Sequence, residues 1–205
     1  MVMDPYDLGR DWGPSALNVS QQAGVSLRYA LPFGHGQTWL NHLNPVAEQI
    51  LGGWQVNSIV TMLSGFPITP LAGSNRSGDG DTRNPDRVSL NTAFTGPVIT
   101  GNPTQWYNPN AFVLPIAGTY GTIGRGVYSG PGLADADISL FKNISFNERF
   151  HLQFRAETFN TLNHVNFGTP NASVFSSTSI SPTAGLITST ATSSRQIQLG
   201  LKLIF

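Results

Sequence analysis

The sequence contains no cysteine, which excludes disulfide bonds and thiolate metal sites. Charged residues are also scarce, at 11% of the chain, against roughly 25% in an average soluble domain. Gly, Pro, Ser, Thr and Asn take their place, and these residues favour strands and turns over helices. The formal net charge is zero, so no electrostatic footprint indicates nucleic acid as a partner.

Long apolar runs and catalytic motifs are missing as well. No stretch of about eighteen apolar residues exists, which excludes a transmembrane helix. The first six residues lack the basic stretch and apolar core of a signal peptide. We therefore expect that the amino-terminal part of the protein is missing from this chain. The sequence has neither a G-x-S-x-G elbow nor a glycine-rich phosphate motif, and we therefore expect no enzymatic activity and no cofactor.

The carboxy-terminal segment shows strict alternation of apolar and polar residues. Because side chains alternate across a strand, one face of this segment is apolar and the other is polar. The apolar set is Ile197, Leu199, Leu201, Leu203 and Phe205. Segments of about ten alternating residues are typical of outer-membrane β-barrels, which face lipid on one side and a polar lumen on the other.

Further strands with related patterns predict an all-β fold, an antiparallel meander of about five long strands. The predicted strands span about 19–33, 54–64, 135–146, 150–162 and 195–205, and a short helix is expected at 44–51. A long, structureless loop is expected at 66–133 and another at 163–194. If the last carboxylate lies in the periplasm, every long loop falls outside the cell, as in membrane barrels.

Several short motifs occur in a fixed order along the chain. They are GGWQV at 52–56, SGFP at 64–67, SGDGDTRNP at 77–85, GTIGR at 121–125, GPGL at 130–133, SLFKN at 139–143 and FRAETFN at 154–160. Together they resemble the carboxy-terminal barrel portion of TonB-dependent outer-membrane receptors. The resemblance is strongest to the Oar-like group, which carries an amino-terminal carboxypeptidase-regulatory-like domain.

The resemblance implies a location in the outer membrane of a Gram-negative-type envelope and a role in uptake of a bulky ligand. It implies outer-membrane lipid and the barrel assembly machinery as partners, the latter reading the terminal strand that ends at Phe205. Five strands are too few for a barrel, since even the smallest have about eight. We therefore expect a partial segment of a large barrel that is not transport-competent alone. The missing amino-terminal barrel and plug would supply the coupling to TonB.

Two loop clusters are candidate sites. Asp79, Asp81, Asn84 and Asp86 present oxygen ligands that could hold Ca²⁺, although the EF-hand spacing is absent and a turn-rich surface loop is the alternative. Trp106 and Tyr107 form a candidate ligand-facing pair, with a hydrophobic loop anchor as the alternative. On the polar side of the fourth strand, Arg155 and Glu157 are expected to form an ion pair.

A secreted β-sandwich that binds carbohydrate or protein is the alternative from another functional class. Several strands with Gly- and Pro-rich turns also fit that architecture. It requires two apolar faces that meet in one core and short loops. The loop of more than sixty residues at 66–133 favours the barrel segment instead.

Overall fold

The computed structural model describes residues 2–81, 83, 86–147 and 149–205. Its helices are the 3₁₀ turns Leu8–Asp11 and Pro109–Ala111 and the α-helix Pro45–Leu51 (α1). Its strands are Gln22–Ala30 (β1), Trp54–Leu63 (β2), Pro67–Ile68 (β3), Ser89–Leu90 (β4), Ile99–Asn102 (β5), Gln105–Tyr107 (β6), Phe112–Val113 (β7), Tyr128–Ser129 (β8), Leu133–Ser145 (β9), His151–Phe159 (β10), Phe175–Ser176 (β11), Ser179–Ile180 (β12) and Gln196–Ile204 (β13). The predicted all-β class is confirmed.

The chain divides into two compact units, which we name by their content. The sheet unit comprises residues 22–62, 134–165 and 192–205. The loop unit comprises residues 1–21, 63–133 and 166–191. The five long strands belong mainly to the sheet unit, and the short strands β3 to β8, β11 and β12 belong to the loop unit.

The sheet unit is built on one five-stranded sheet in the order β1-β2-β9-β10-β13. Each long strand therefore lies next to the long strand that follows it in the chain, which is the predicted meander. β10 pairs antiparallel with β9 on one side and with β13 on the other. Each of the five predicted strands overlaps one strand of this sheet, because long runs of alternating side chains give the clearest strand signal.

Helix α1 lies between β1 and β2 and has the capping residues that the sequence predicts. The Asn44 side-chain oxygen accepts a hydrogen bond from the Ala47 amide at 2.7 Å. Pro45 occupies the first turn, where no amide donor is required. Gly52 ends the helix by donating its amide to the Glu48 carbonyl, and Gly53 follows with a φ of +72° that glycine adopts readily.

The loop unit has a hydrophobic core, which the sequence does not predict. The core residues come from both long loops: Ala72, Val88, Tyr107, Ala111, Phe112, Ile123, Val174, Phe175 and Ala184. Two short antiparallel ribbons, β3 with β8 and β4 with β7, join distant parts of the segment 66–133, and β5 with β6 forms a local hairpin within it. The prediction of a structureless loop there is wrong, because strands of two to four residues are too short to show alternation.

Within the described part of the chain, no helix has both the length and the apolar character needed to cross a membrane.

Candidate functional site

One face of the sheet unit exposes large apolar side chains instead of packing them. The five residues of the terminal strand, Ile197, Leu199, Leu201, Leu203 and Phe205, are between 54% and 90% exposed. At the other edge of the sheet, Val25, Leu27 and Tyr29 of β1 are also more than half exposed. Contiguous exposed apolar surface of this kind marks a region that contacts another apolar phase or partner.

The strand register extends this apolar face from β13 across β10. Residues directly opposite each other in an antiparallel pair point to the same side of the sheet. The pairs on this side are Leu152 with Leu203, Phe154 with Leu201, Ala156 with Leu199 and Thr158 with Ile197. The register to β9 adds Ile144 and Leu140 on the same side.

The sheet unit has no buried apolar side chain among its described residues. Every buried hydrophobic residue of the described chain lies in the loop unit, from Met3 to Ala184. A β-sandwich needs two apolar faces packed against each other. The structure therefore gives no support to the sandwich alternative, because the apolar face of this sheet has no opposing layer within its unit.

The opposite face of the sheet is polar and carries a network of hydrogen bonds between neighbouring strands. Arg28 donates to the Gln55 side-chain oxygen at 3.0 Å, and Gln153 donates to the Asn143 side-chain oxygen at 2.8 Å. These side chains line an open recess of about 460 Å³. A face lined by amides and guanidinium groups can be hydrated by water, in contrast to the apolar face.

Arg155 belongs to this polar face, but its partners differ from the prediction. Its Nε donates to the Gln153 side-chain oxygen at 2.6 Å, and its guanidinium lies 5.2 Å from the centre of the Phe141 ring. The ion pairs of the described residues do not include one between Arg155 and Glu157. The expected ion pair is therefore wrong, since a nearer amide oxygen and an aromatic face take its place.

Lys142 is a charged side chain on the otherwise mainly apolar face, opposite Phe154. It is 5% exposed, and its Nζ donates to the Gly52 carbonyl. The ammonium also lies 5.6 Å from the centre of the Trp54 ring, within the range of a cation–π contact. Sequence reasoning missed this contact, although the Gly52-Gly53-Trp54 run that supplies it was among the motifs.

The carboxylates of the acidic loop make hydrogen bonds within the loop, in the part of the chain that the structure describes. Asp79 accepts the amide of Asp81 at 2.8 Å, and Asp81 pairs with Arg83 at 2.6 Å. Asp86 is fully buried and accepts both the amide and the hydroxyl of Ser77. No group of three candidate ligands occurs among the described residues, and Asn84 lies outside them. The three aspartates instead hold turns of the loop.

Trp106 and Tyr107 are separated by the fold. Tyr107 is 1% exposed and its hydroxyl donates to the Asn171 carbonyl at 2.7 Å. Its burial raises the pKa of the phenol well above its usual range. The prediction that Tyr107 faces a ligand is therefore wrong, and the anchor alternative describes it. Trp106 is half-buried, with its indole donating to the Ser129 carbonyl at 2.9 Å.

A match to a protein family agrees with this two-faced sheet. The family described as outer membrane beta barrel domain matches residues 1–198 of the 205-residue chain. No curated protein and no solved structure matches the chain. Since the match covers nearly the whole sequence, the chain belongs to the outer membrane β-barrel domain family and has the membrane-barrel role and outer-membrane location of that family.

Proposed function

We propose that this chain forms part of the wall of a TonB-dependent receptor barrel in the outer membrane of a Gram-negative-type envelope. The observation that carries the proposal is the five-stranded sheet with one exposed apolar face, one polar face and no core of its own. The apolar face would contact outer-membrane lipid, and the polar face would line the lumen. The ordered motifs that resemble TonB-dependent receptors support the narrower assignment.

The number and direction of the strands define what the rest of the barrel must supply. β1 and β13 are the edges of the sheet, and hydrocarbon does not tolerate unpaired strand edges. Consecutive strands of a meander alternate in direction, so the first and the fifth run the same way. Closure through antiparallel pairs then needs an odd number of further strands, and barrels have at least about eight in total.

The complete receptor would take up a bulky ligand, and this wall segment would not transport it alone. The plug and the coupling to TonB would come with the further strands. The loop unit is our candidate for contacts with the ligand outside the cell, and Trp106, which is half-buried, stays a candidate for such contacts. The terminal strand ending at Phe205 would be read by the barrel assembly machinery. The proposed role involves no catalysis.

Sequencing the gene upstream of the Met1 codon tests the narrower assignment. We expect an in-frame region that encodes a plug and an odd number of additional alternating strands. A reading frame without a plug would contradict assignment to a TonB-dependent receptor. The membrane-barrel role would survive that result, because it depends on the two faces of the sheet and on the family.

A further inference from the structure

A cationic recess lies within the loop unit, apart from the two faces of the sheet. Its volume is about 240 Å³, and its lining includes Arg83, Arg87, Arg125, Asp11 and Thr69. Asp11 is the only carboxylate among the lining residues that the structure describes. Arg83 is engaged by Asp81 at 2.6 Å, so Arg87 and Arg125 are the guanidinium groups that share the charge of Asp11.

Arg87 is a buried guanidinium whose donors are only partly used. Its side chain is 3% exposed, its Nη2 donates to the Arg10 carbonyl at 2.8 Å, and its Nη1 lies 3.5 Å from Asp11. Its Nε has no hydrogen-bond partner among the described residues. A buried polar group without a partner costs free energy, and the cost is larger for a charged group. Arg87 is therefore a buried cation whose donors the described residues satisfy only in part.

Asp11 contacts Arg87 through one carboxylate oxygen only, because its second oxygen is already occupied. That oxygen accepts the Met3 amide at 2.8 Å. Burial lowers the pKa of Arg87, Asp11 opposes this effect, and the charges of Arg125 and Arg10 add to it. The guanidinium nevertheless stays protonated at neutral pH. Arg10 is itself paired with Asp4 and Asp7, so the unbalanced charge at the recess comes from Arg87 and Arg125 against Asp11.

Arg125 is held at the recess by its backbone. The amide of Gly126 donates to the Thr69 hydroxyl oxygen at 2.8 Å, and Gly126 adopts a φ of +62°. A Cβ atom on Gly13 would lie 2.5 Å from the Arg125 carbonyl oxygen, so only glycine permits this close approach. The Arg125 side chain makes no ion pair or hydrogen bond with the described residues. Its charge is thus available to a ligand.

We propose that this recess is a binding site for a phosphate group. Guanidinium groups bind phosphate oxygens through charge-assisted and often bidentate hydrogen bonds. Arg87 and Arg125 would supply these donors, and the Thr69 hydroxyl, which accepts from Gly126, can donate its own proton. The recess is open to solvent, so the group could belong to a free ion or to a larger phosphorylated molecule. This inference goes beyond the proposed wall role and does not depend on TonB-dependent uptake.

Inorganic phosphate is the probe for the test, using the full chain in an uncharged detergent. We expect saturable binding by isothermal titration calorimetry that weakens as sodium chloride is raised, because the contact is ionic. R125Q should weaken binding at least tenfold. The matched control is R149Q, which removes the same charge from an exposed residue of the sheet unit and should leave the affinity unchanged.

Two further measurements keep the result interpretable. R125K retains the charge but loses the planar fork, and we expect intermediate binding. Near-ultraviolet circular dichroism of the buried Tyr107 and the partly buried Tyr128 reports whether each variant keeps the loop-unit core. Non-saturable phosphate binding, or equal losses of affinity in folded R125Q and R149Q, would overturn the proposal.

Vesicle binding distinguishes the two sources of the phosphate group. If the chain also binds vesicles of phosphatidylglycerol in preference to phosphatidylcholine, and R125Q abolishes that preference, the source is a lipid headgroup. If only free phosphate binds, the source is a soluble ion.

Discussion

Lys142 illustrates how one residue stabilises a charge on an apolar surface. Its ammonium is buried against the Gly52 carbonyl and the Trp54 ring, so the charge is shielded from whatever covers the surrounding face. Long basic side chains commonly place their apolar stems on hydrophobic surface while the charged end finds a polar partner. The contact also links β9 to the segment that follows α1.

We expect K142M to destabilise the sheet by about 1–3 kcal/mol, because the Gly52 carbonyl loses its donor in a buried position. Urea unfolding in an uncharged detergent, followed by tryptophan fluorescence, would measure the change. K202M is the matched control, since Lys202 is an exposed residue of β13 opposite Gln153 on the polar face. Equal stabilities of the two variants would refute the role given to Lys142.

Asp81 offers a test of the acidic loop at the same scale. Hydrogen bonds from the Arg83 side chain, and then from its backbone, hold the pKa of the Asp81 carboxyl at about 2, below the ordinary value of 3.8. Because the folded state favours the ionised form, this contact stabilises the loop above pH 3.8 and is lost as the pH falls through about 2.

The expected result is an NMR titration of the Asp81 carboxyl carbon with a midpoint near 2 in the wild type. R83Q should return the midpoint toward 3.8, and D81N identifies the resonance. If R83Q leaves the midpoint at its wild-type value, the ion pair between Asp81 and Arg83 is ruled out. A metal site at the acidic loop would then again be the alternative.

At the scale of elements, the five long strands could be predicted from the alternation of apolar and polar residues in the sequence. Their faces could be predicted because Leu199 and Leu201 alternate with Gln198 and Gly200 over a full strand length. The core of the loop unit could not be predicted in this way. Val88, Phe112 and Val174 are far apart in the chain and lie in or beside strands of two residues, so only tertiary contacts bring them together.

The two faces of β13 should respond differently to a charged substitution: we expect it to be costly on the apolar face and tolerated on the polar face. L201K places a charge on that face and should cost about 2–4 kcal/mol of membrane stability near the bilayer midplane. Q198K places the same charge on the polar face opposite Glu157, where it should be tolerated. The amounts of the two variants inserted in outer-membrane vesicles, compared side by side, measure the difference, and equal amounts would argue against lipid contact at Leu201.

The loop-unit core predicts independent local stability. Phe112 is buried and packs edge-on against Tyr107 and Tyr128 at 5.8 Å between ring centres. F112A should cost about 3–5 kcal/mol through the cavity it leaves. Hydrogen exchange should then speed up in the loop unit while β10 and β13 keep their protection. F146A, which truncates an exposed ring in the turn after β9, is the control. If F112A lowers hydrogen-exchange protection equally in both units, the division into two separate units is contradicted.

At the scale of the whole molecule, the chain contains a sheet whose two faces require different surroundings, together with a loop unit that has its own core. The candidate site was predictable in outline, since the exposed residues of β13 are those that the alternation singled out. The placement of Tyr107 in a core and of Arg87 and Arg125 at one recess was not predictable. Such contacts depend on close approaches of the backbone, as at Gly13, and these approaches leave no periodic pattern in the sequence.

The absence of cysteine makes the most direct test of the two-faced sheet straightforward, because each engineered cysteine is the only labelling site. Spin labels are placed by L199C, L201C and L203C on the apolar face and by Q198C and K202C on the polar face, in outer-membrane vesicles. Collision rates are then measured with molecular oxygen, which partitions into lipid, and with a water-soluble nickel chelate. We predict that the first three labels favour oxygen and the other two favour the chelate. Equal access of the chelate to both sets would contradict a lipid-facing surface on β13.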